Sequence, residues 1–169
     1  MSLAQIAALM AERKLPPVDQ WAPAQTGESH MRIAADGRWF HEGGEIRRPA
    51  MVRAFASLLT RDADGQHWLV TPQEKLAIEV QDAAFMAVDL QRNGDALVFR
   101  LNTDDLVIAG PDFPIRVTGD SDTPAIYIAV RHGTEARLNR STYGQLAEIA
   151  LESDDLIVTS CGATFSLVP

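Results

Sequence analysis

One cysteine, two lysines, few aromatic residues and no long apolar run distinguish this 169-residue chain. Cys161 alone cannot form an intramolecular disulfide or a thiolate metal site, and it is expected as a small buried hydrophobe instead of a nucleophile. No apolar run approaches the roughly 20 residues a membrane helix requires. The N-terminus has no basic start followed by an apolar block, so a cytoplasmic protein without a membrane span is expected. Motifs for common chemistry are missing too. His30, His41, His67 and His132 are scattered, with no two at a spacing that puts ligands on one helix face, so no metal and no cofactor are expected. There is no G-x-S-x-G elbow and no phosphate-binding glycine loop of the P-loop or dinucleotide type. Asp104-Asp105 and Asp120-x-Asp122 fall in turn sequences, where Asp serves the backbone.

What is present describes a folded protein. Hydrophobic residues make up 46% of the chain and charged residues 22%, enough for one sizeable core or two small ones. The net charge of −8 argues against binding a nucleic-acid backbone, which rewards clustered cations. That charge is uneven. Residues 28–61 hold six Arg against four acids, residues 131–140 three Arg against one, and residues 62–130 four cations against twelve acids. Thirteen of the fifteen cations are Arg, whose planar fork suits carboxylate or phosphate.

The pattern of elements repeats. Glu45–Leu59 is echoed 92 positions later by Arg137–Leu151, each copy passing from a short strand through an Arg into an amphipathic helix and then another strand. A docking helix is read from Leu3, Ile6, Ala7 and Met10 through about residue 14, followed by a proline-rich linker anchored by Trp21. Asp36-Gly37, Gly43-Gly44, Asp64-Gly65 and Asn93-Gly94 are turn signals between apolar strands. A first long helix starts at Pro49, lies across a sheet and presents Met51, Phe55, Leu58 and Leu59; a second is capped by Ser141. Many strands with two or three helices predict an α+β fold. The expected organisation is a helix and linker over 1–27 packed on the body, an α+β unit over 28–83 and a second over 84–169.

Two arginines stand where electrostatics disfavours them. A helix N-terminus carries partial positive charge, yet Arg48 precedes one long helix and Arg140 the other, an arrangement that calls for a negative group near each. Two readings stay open. A carboxylate such as Glu74 or Asp82 could form buried ion pairs, or an anionic ligand could be held by Arg and free backbone N–H groups.

The runs IAADGRWFHEGGEIRRPAMVRAFASLL, LVTPQEK, IEVQDAAF, ARLNR, YGQLAEIA and TSCGATFSL, with the linker PPVDQWAP, resemble the bacterial DUF1285 family across nearly the whole chain. Gln81 and Ala84 stand where the family pattern favours Glu and Pro. The resemblance implies two related α+β units, the C-terminal one similar to a pleckstrin-homology-like, partly open β-barrel with a helix. It also implies a cleft between them that takes a nucleotide-like ligand, a role in signal transduction and no catalytic activity. On this reading the protein is a regulatory, ligand-binding protein whose site is bordered by Arg48, Thr71, Glu74, Lys75, Asp82, Arg137 and Arg140. The arginines and Lys75 neutralise an anionic small molecule, Thr71 donates a hydroxyl hydrogen bond, and Glu74 and Asp82 orient the cations or contact ligand hydroxyls. Two other classes remain: an enzyme using Asp82 or Glu74 as general base, and a module that binds a protein partner.

Overall fold

The computed structural model describes residues 4–5 and 15–169, so most of the docking helix read over residues 3–14 lies outside the described residues. The described chain divides into two compact units, one of residues 15–85 with 131–134, the other of residues 86–130 with 135–169.

The first unit is built on a six-stranded sheet. Its strands are β1 (Gln25–Ile33), β2 (Trp39–His41), β3 (Gly44–Ile46), β4 (Leu59–Arg61), β5 (His67–Val70) and β6 (Glu74–Val80). Their spatial order is β3-β2-β1-β6-β5-β4, antiparallel throughout except for the parallel central pair β1–β6. Alternation places Met31, Ile33, Trp39 and Ile78 in the core. Gly37, Gly43 and Gly65 take the positive φ that their turns require. β1 begins at Gln25, inside the segment expected as linker, because its polar first residues enter the sheet by backbone pairing with β6.

Helix α1 (Pro49–Ala56) joins β3 to β4. Those strands are the two edges of the sheet, so the connection must cross it. Pro49 suits the first helical position, where no N–H is needed. Phe55 stacks on Trp39, with ring centroids 6.5 Å apart, and truncating a buried Trp of this kind costs about 3–5 kcal/mol. The helix is shorter than its apolar pattern suggested. The Ser57 N–H bonds the Arg53 carbonyl, the Leu58 N–H bonds the Phe55 carbonyl, and the Ser57 hydroxyl donates to the Ala54 carbonyl. Leu59 is instead the buried first residue of β4, paired with Leu69, and Met51 is exposed.

Residues 131–134 form a tight turn against β4 in this unit. A Cβ at Gly133 would lie 2.7 Å from the Arg61 carbonyl oxygen, so only glycine fits. Arg131 donates to the Ala56 carbonyl at 3.4 Å and sits 5.2 Å from the Phe85 ring centroid. His132 occupies the left-handed region, at φ 57° and ψ 37°.

The second unit repeats the same plan. Strands β7 (Phe85–Asn93), β8 (Ala96–Leu101), β9 (Leu106–Ile108), β10 (Ile115–Gly119), β11 (Pro124–Ala129) and β12 (Glu135–Leu138) lie in the order β10-β11-β12-β7-β8-β9. Counted from the first strand of each unit, both sheets read 3-2-1-6-5-4. The fold is α+β with two similar six-stranded sheets and two long helices among the described residues. The duplication therefore lies in the sheets, whose first strands start at Gln25 and Phe85. The strand–Arg–helix segments of the sequence echo occupy different places in it: β3 is an edge strand, while β12 is a central one.

In this unit six residues, 109–114, carry the chain from edge β9 to edge β10. Fully extended they reach about 25 Å, close to the roughly 24 Å width of six flat strands. A bond from the Gly110 N–H to the Phe113 carbonyl shortens that reach, so the sheet must curl. Its edges are not hydrogen-bonded to each other.

Helix α2 (Arg140–Ala150) follows β12. Its N-cap is Asn139, whose side chain accepts from the Thr142 N–H at 2.9 Å, and not Ser141, which donates to Asn139 from the first turn. Leu146 and Ala150 are buried. A hairpin of β13 (Ile157–Ser160) and β14 (Ala163–Ser166) completes the unit. The fully buried Ser160 hydroxyl accepts from the Leu97 N–H at 2.8 Å and donates to the Ala109 carbonyl at 2.6 Å. Cys161, expected to be buried, is exposed in the hairpin turn at φ 50°. The turn geometry, not the apolar character of the thiol, sets its position.

Candidate functional site

Strand direction sorts the four N-terminal residues and Asp82 into separate places. β3 and β6 both run parallel to β1, so Arg48, just past β3, and Asp82, just past β6, stand at the same end of the sheet. Thr71, Glu74 and Lys75 stand at the other end, where β6 begins. The seven residues of β6 separate the two groups by about 20 Å at a rise near 3.3 Å each. A small ligand at Arg48 is out of reach of all three.

Local bonds explain the three distant residues. The Thr71 hydroxyl donates to the Glu74 carbonyl at 3.0 Å and accepts the Glu74 N–H at 3.1 Å, closing the turn between β5 and β6. Lys75 lies 4.3 Å from the centroid of the Trp68 ring, a cation–π contact across the hairpin. The Trp68 indole N–H in turn donates to Asp62 at 3.0 Å, a bond that heads the causes holding the Asp62 carboxyl below its ordinary range. These are hairpin contacts.

At the other end the chemistry is open. Arg48 is the N-cap of α1, with an extended backbone, no side-chain capping bond and no acid in the first helical turn. Its side chain is exposed and has no ion-pair partner among the described residues. The buried ion pair weighed for it is therefore absent there. Asp82 is half-buried and has a partner of its own.

In the second unit, Arg137 and Arg140 flank the end of β12. Arg137 is half-buried, 5.9 Å from the Tyr127 ring centroid; Arg116, 4.5 Å from the same centroid, forms a two-pronged pair with Glu135 at 2.8 and 2.9 Å. Arg140 is the first residue of α2, exposed, with no acid in its first turn and no ion-pair partner among the described residues. Asn139 accepts one of the helix's free N–H groups; Arg140 offers the charge.

Of the two acidic turns, the Asp120 turn serves the backbone as its sequence suggested, whereas in the other Asp104 pairs with the Arg100 side chain at 3.4 Å and Asp105 bonds a side-chain hydroxyl. Asp120 accepts from the Thr123 and Asp122 N–H groups at 2.7 and 3.0 Å, and those bonds hold its carboxyl below the usual range. Thr103 donates to Asp105 within the turn after β8. Among the described residues no three His, Cys, Asp or Glu side chains gather to hold a metal.

One feature escaped sequence reasoning altogether. A hollow of about 370 Å³ opens in the second unit where the β7–β8 hairpin, the C-terminal end of α2 and β13 meet. Leu97, Ile149 and Val158 line its wall; among the described residues, Arg92, Asp95 and Glu152 are its charged groups. Arg92 and Glu152 bond each other at 2.5 and 3.3 Å, which lowers the Glu152 carboxyl and raises Arg92. Two stretches distant in sequence, 92–97 and 149–159, meet to form it, so no local motif could have announced it.

Comparison with known proteins follows this two-part plan. Residues 16–83 match the domain of unknown function DUF1285, N-terminal domain, and residues 84–167 match the protein of unknown function DUF1285, C-terminal domain. The crystal structure of a DUF1285 family protein from Silicibacter pomeroyi DSS-3 is similar at 38% identity, over 96% of this chain and 94% of that one, with a TM-score of 0.84. One from Shewanella baltica OS155 is similar at 25% identity, over 70% of this chain and 90% of that one, with a TM-score of 0.58. Among curated proteins, none matches. The two contiguous domain matches, together covering nearly all of the described chain, place it in a family: this protein belongs to DUF1285.

Proposed function

We propose that the protein is a regulatory, ligand-binding protein that takes an anionic, nucleotide-like small molecule through the arginines that open its two long helices. One observation supports this reading. Arg48 and Arg140 are each exposed at a helix start, where a cation is disfavoured, and neither has an ion-pair partner among the described residues. A phosphate or carboxylate would gain the forked guanidinium at either position and relieve the unfavourable placement of the cation. Asp82, at the Arg48 end of its sheet, would orient that cation, and Arg137, beside Arg140, would add its charge in neutralising the anion. Thr71, Glu74 and Lys75 have no part in binding the same small ligand at Arg48, because β6 holds them at the opposite end.

Thermal unfolding against a panel of nucleotides, inorganic phosphates and small carboxylates tests the proposal. A ligand at 100 times its Kd adds about 2.7 kcal/mol, a rise of roughly 5–11 °C for a chain of this size. Arg48→Ala and Arg140→Ala, each measured alone, should reduce that rise while leaving the ligand-free Tm within about 2 °C, because both side chains are exposed and unpaired. If no anion moves the wild type, or if the rise survives both substitutions, the reading fails. A large loss of stability in either variant without ligand would return its arginine to a structural role.

A further inference from the structure

The hollow beside α2 has an electrostatic balance opposite to that of the helix-starting arginines. Arg92, its only cation among the described residues, is already engaged by both oxygens of Glu152. That leaves Asp95, whose carboxylate is exposed and has no ion-pair partner among the described residues. The C-terminal end of α2 adds to the negative side: a helix C-terminus carries partial negative charge, and no basic residue stands in the last turn of α2 to offset it. The wall is apolar, with Leu97 and Val158 buried and Ile149 half-buried. Its volume of about 370 Å³ lies within the range of sites for small organic molecules.

We propose that this hollow is a binding site for a small organic cation, an ammonium group on an aliphatic or aromatic body. The body lies against Leu97, Ile149 and Val158, and the ammonium faces Asp95 and the carbonyl end of α2. The Arg92–Glu152 pair forms the remaining polar border and, being neutral as a pair, does not repel the ligand. An anion of the same shape meets an occupied Arg92 and an uncompensated Asp95, so it is rejected. The site is independent of the anion reading above and stands or falls separately.

NMR titration of the full chain, labelled at its methyl groups, tests the site with three probes of one shape: hexylammonium, 1-hexanol and hexanoate. Hexylammonium should give saturable shifts at the Leu97, Ile149 and Val158 methyls, 1-hexanol weaker ones and hexanoate the weakest. Asp95→Asn should weaken hexylammonium roughly two- to fivefold, as expected for an exposed charge pair, and leave 1-hexanol unchanged. Asp112→Asn, which removes the same charge from an exposed loop outside the hollow, should leave hexylammonium binding intact. Hexanoate binding as tightly as hexylammonium, indifference to Asp95→Asn, or no saturable shift at those methyls would each overturn the proposal.

Discussion

Gly133→Ala offers a measurable consequence of the turn packed against β4. The backbone there has φ of 77°, and an added Cβ would stand 2.7 Å from the Arg61 carbonyl oxygen. Two costs combine: left-handed backbone in a residue with a Cβ, about 1–2 kcal/mol, and an overlap that only movement of one backbone against another can relieve, another 1–3 kcal/mol or so. Gly65→Ala separates them. Its φ is 87°, but nothing lies within 4 Å of the new methyl, so it carries the first cost alone. With Tm falling about 2–4 °C per kcal/mol at this chain length, Gly133→Ala at about 3 kcal/mol should melt roughly 6–12 °C lower, and Gly65→Ala at about 1 kcal/mol roughly 2–4 °C lower. Calorimetry of the two variants beside wild type reads the difference. Equal shifts would refute the close approach of residue 133 to β4.

Three further outcomes follow from the same contacts. Asn139→Ala should cost about 1 kcal/mol by removing the α2 cap, whereas Ser141→Ala should stay within about 0.5 kcal/mol; urea titration of both tells which residue caps the helix. Ser160→Ala leaves the buried Leu97 N–H and Ala109 carbonyl unpaired and should lower unfolding stability by about 2–4 kcal/mol. Burial, with a contribution from Arg131 and against the pull of Asp19, pushes the His132 imidazole below its ordinary range. The unfolded chain takes up that proton near pH 6.5, before the folded one. The stability His132 contributes is therefore complete above about pH 6.5 and is lost as pH falls through the folded value. His132→Asn, which tolerates the left-handed backbone, should melt with a shallower fall in Tm between about pH 7 and 5 than wild type does.

Turn chemistry was the most legible part of the sequence. Asp36-Gly37, Asp64-Gly65 and Asn93-Gly94 each combine a polar residue with a glycine at positive φ, a local property that needs no partner strand. Pro49 likewise marks the start of α1. What was illegible depends on pairing across the chain. Gln25–Glu28 show no apolar alternation, and they become a strand only because β6 lies beside them. The parallel β1–β6 pair also decides which candidate residues share an end of the sheet, so Thr71, Glu74 and Lys75 could not be separated from Arg48 by spacing alone. Asn139 and Ser141 are both good N-caps, and the choice between them fell to the geometry leaving β12.

The shared strand order has a consequence for how each unit assembles. Within the first unit, β1–β2–β3 and β4–β5–β6 are two local meanders whose contacts close short loops. The parallel pair that joins them brings together residues such as Ser29 and Ala77, 48 apart in sequence and bonded at 2.7 Å. Loop closure of that length must precede the gain from pairing, so the meanders can form early while the centre of the sheet zips last. The central strand pair is then the latest to form, and a substitution in it would speed unfolding more than it slows folding.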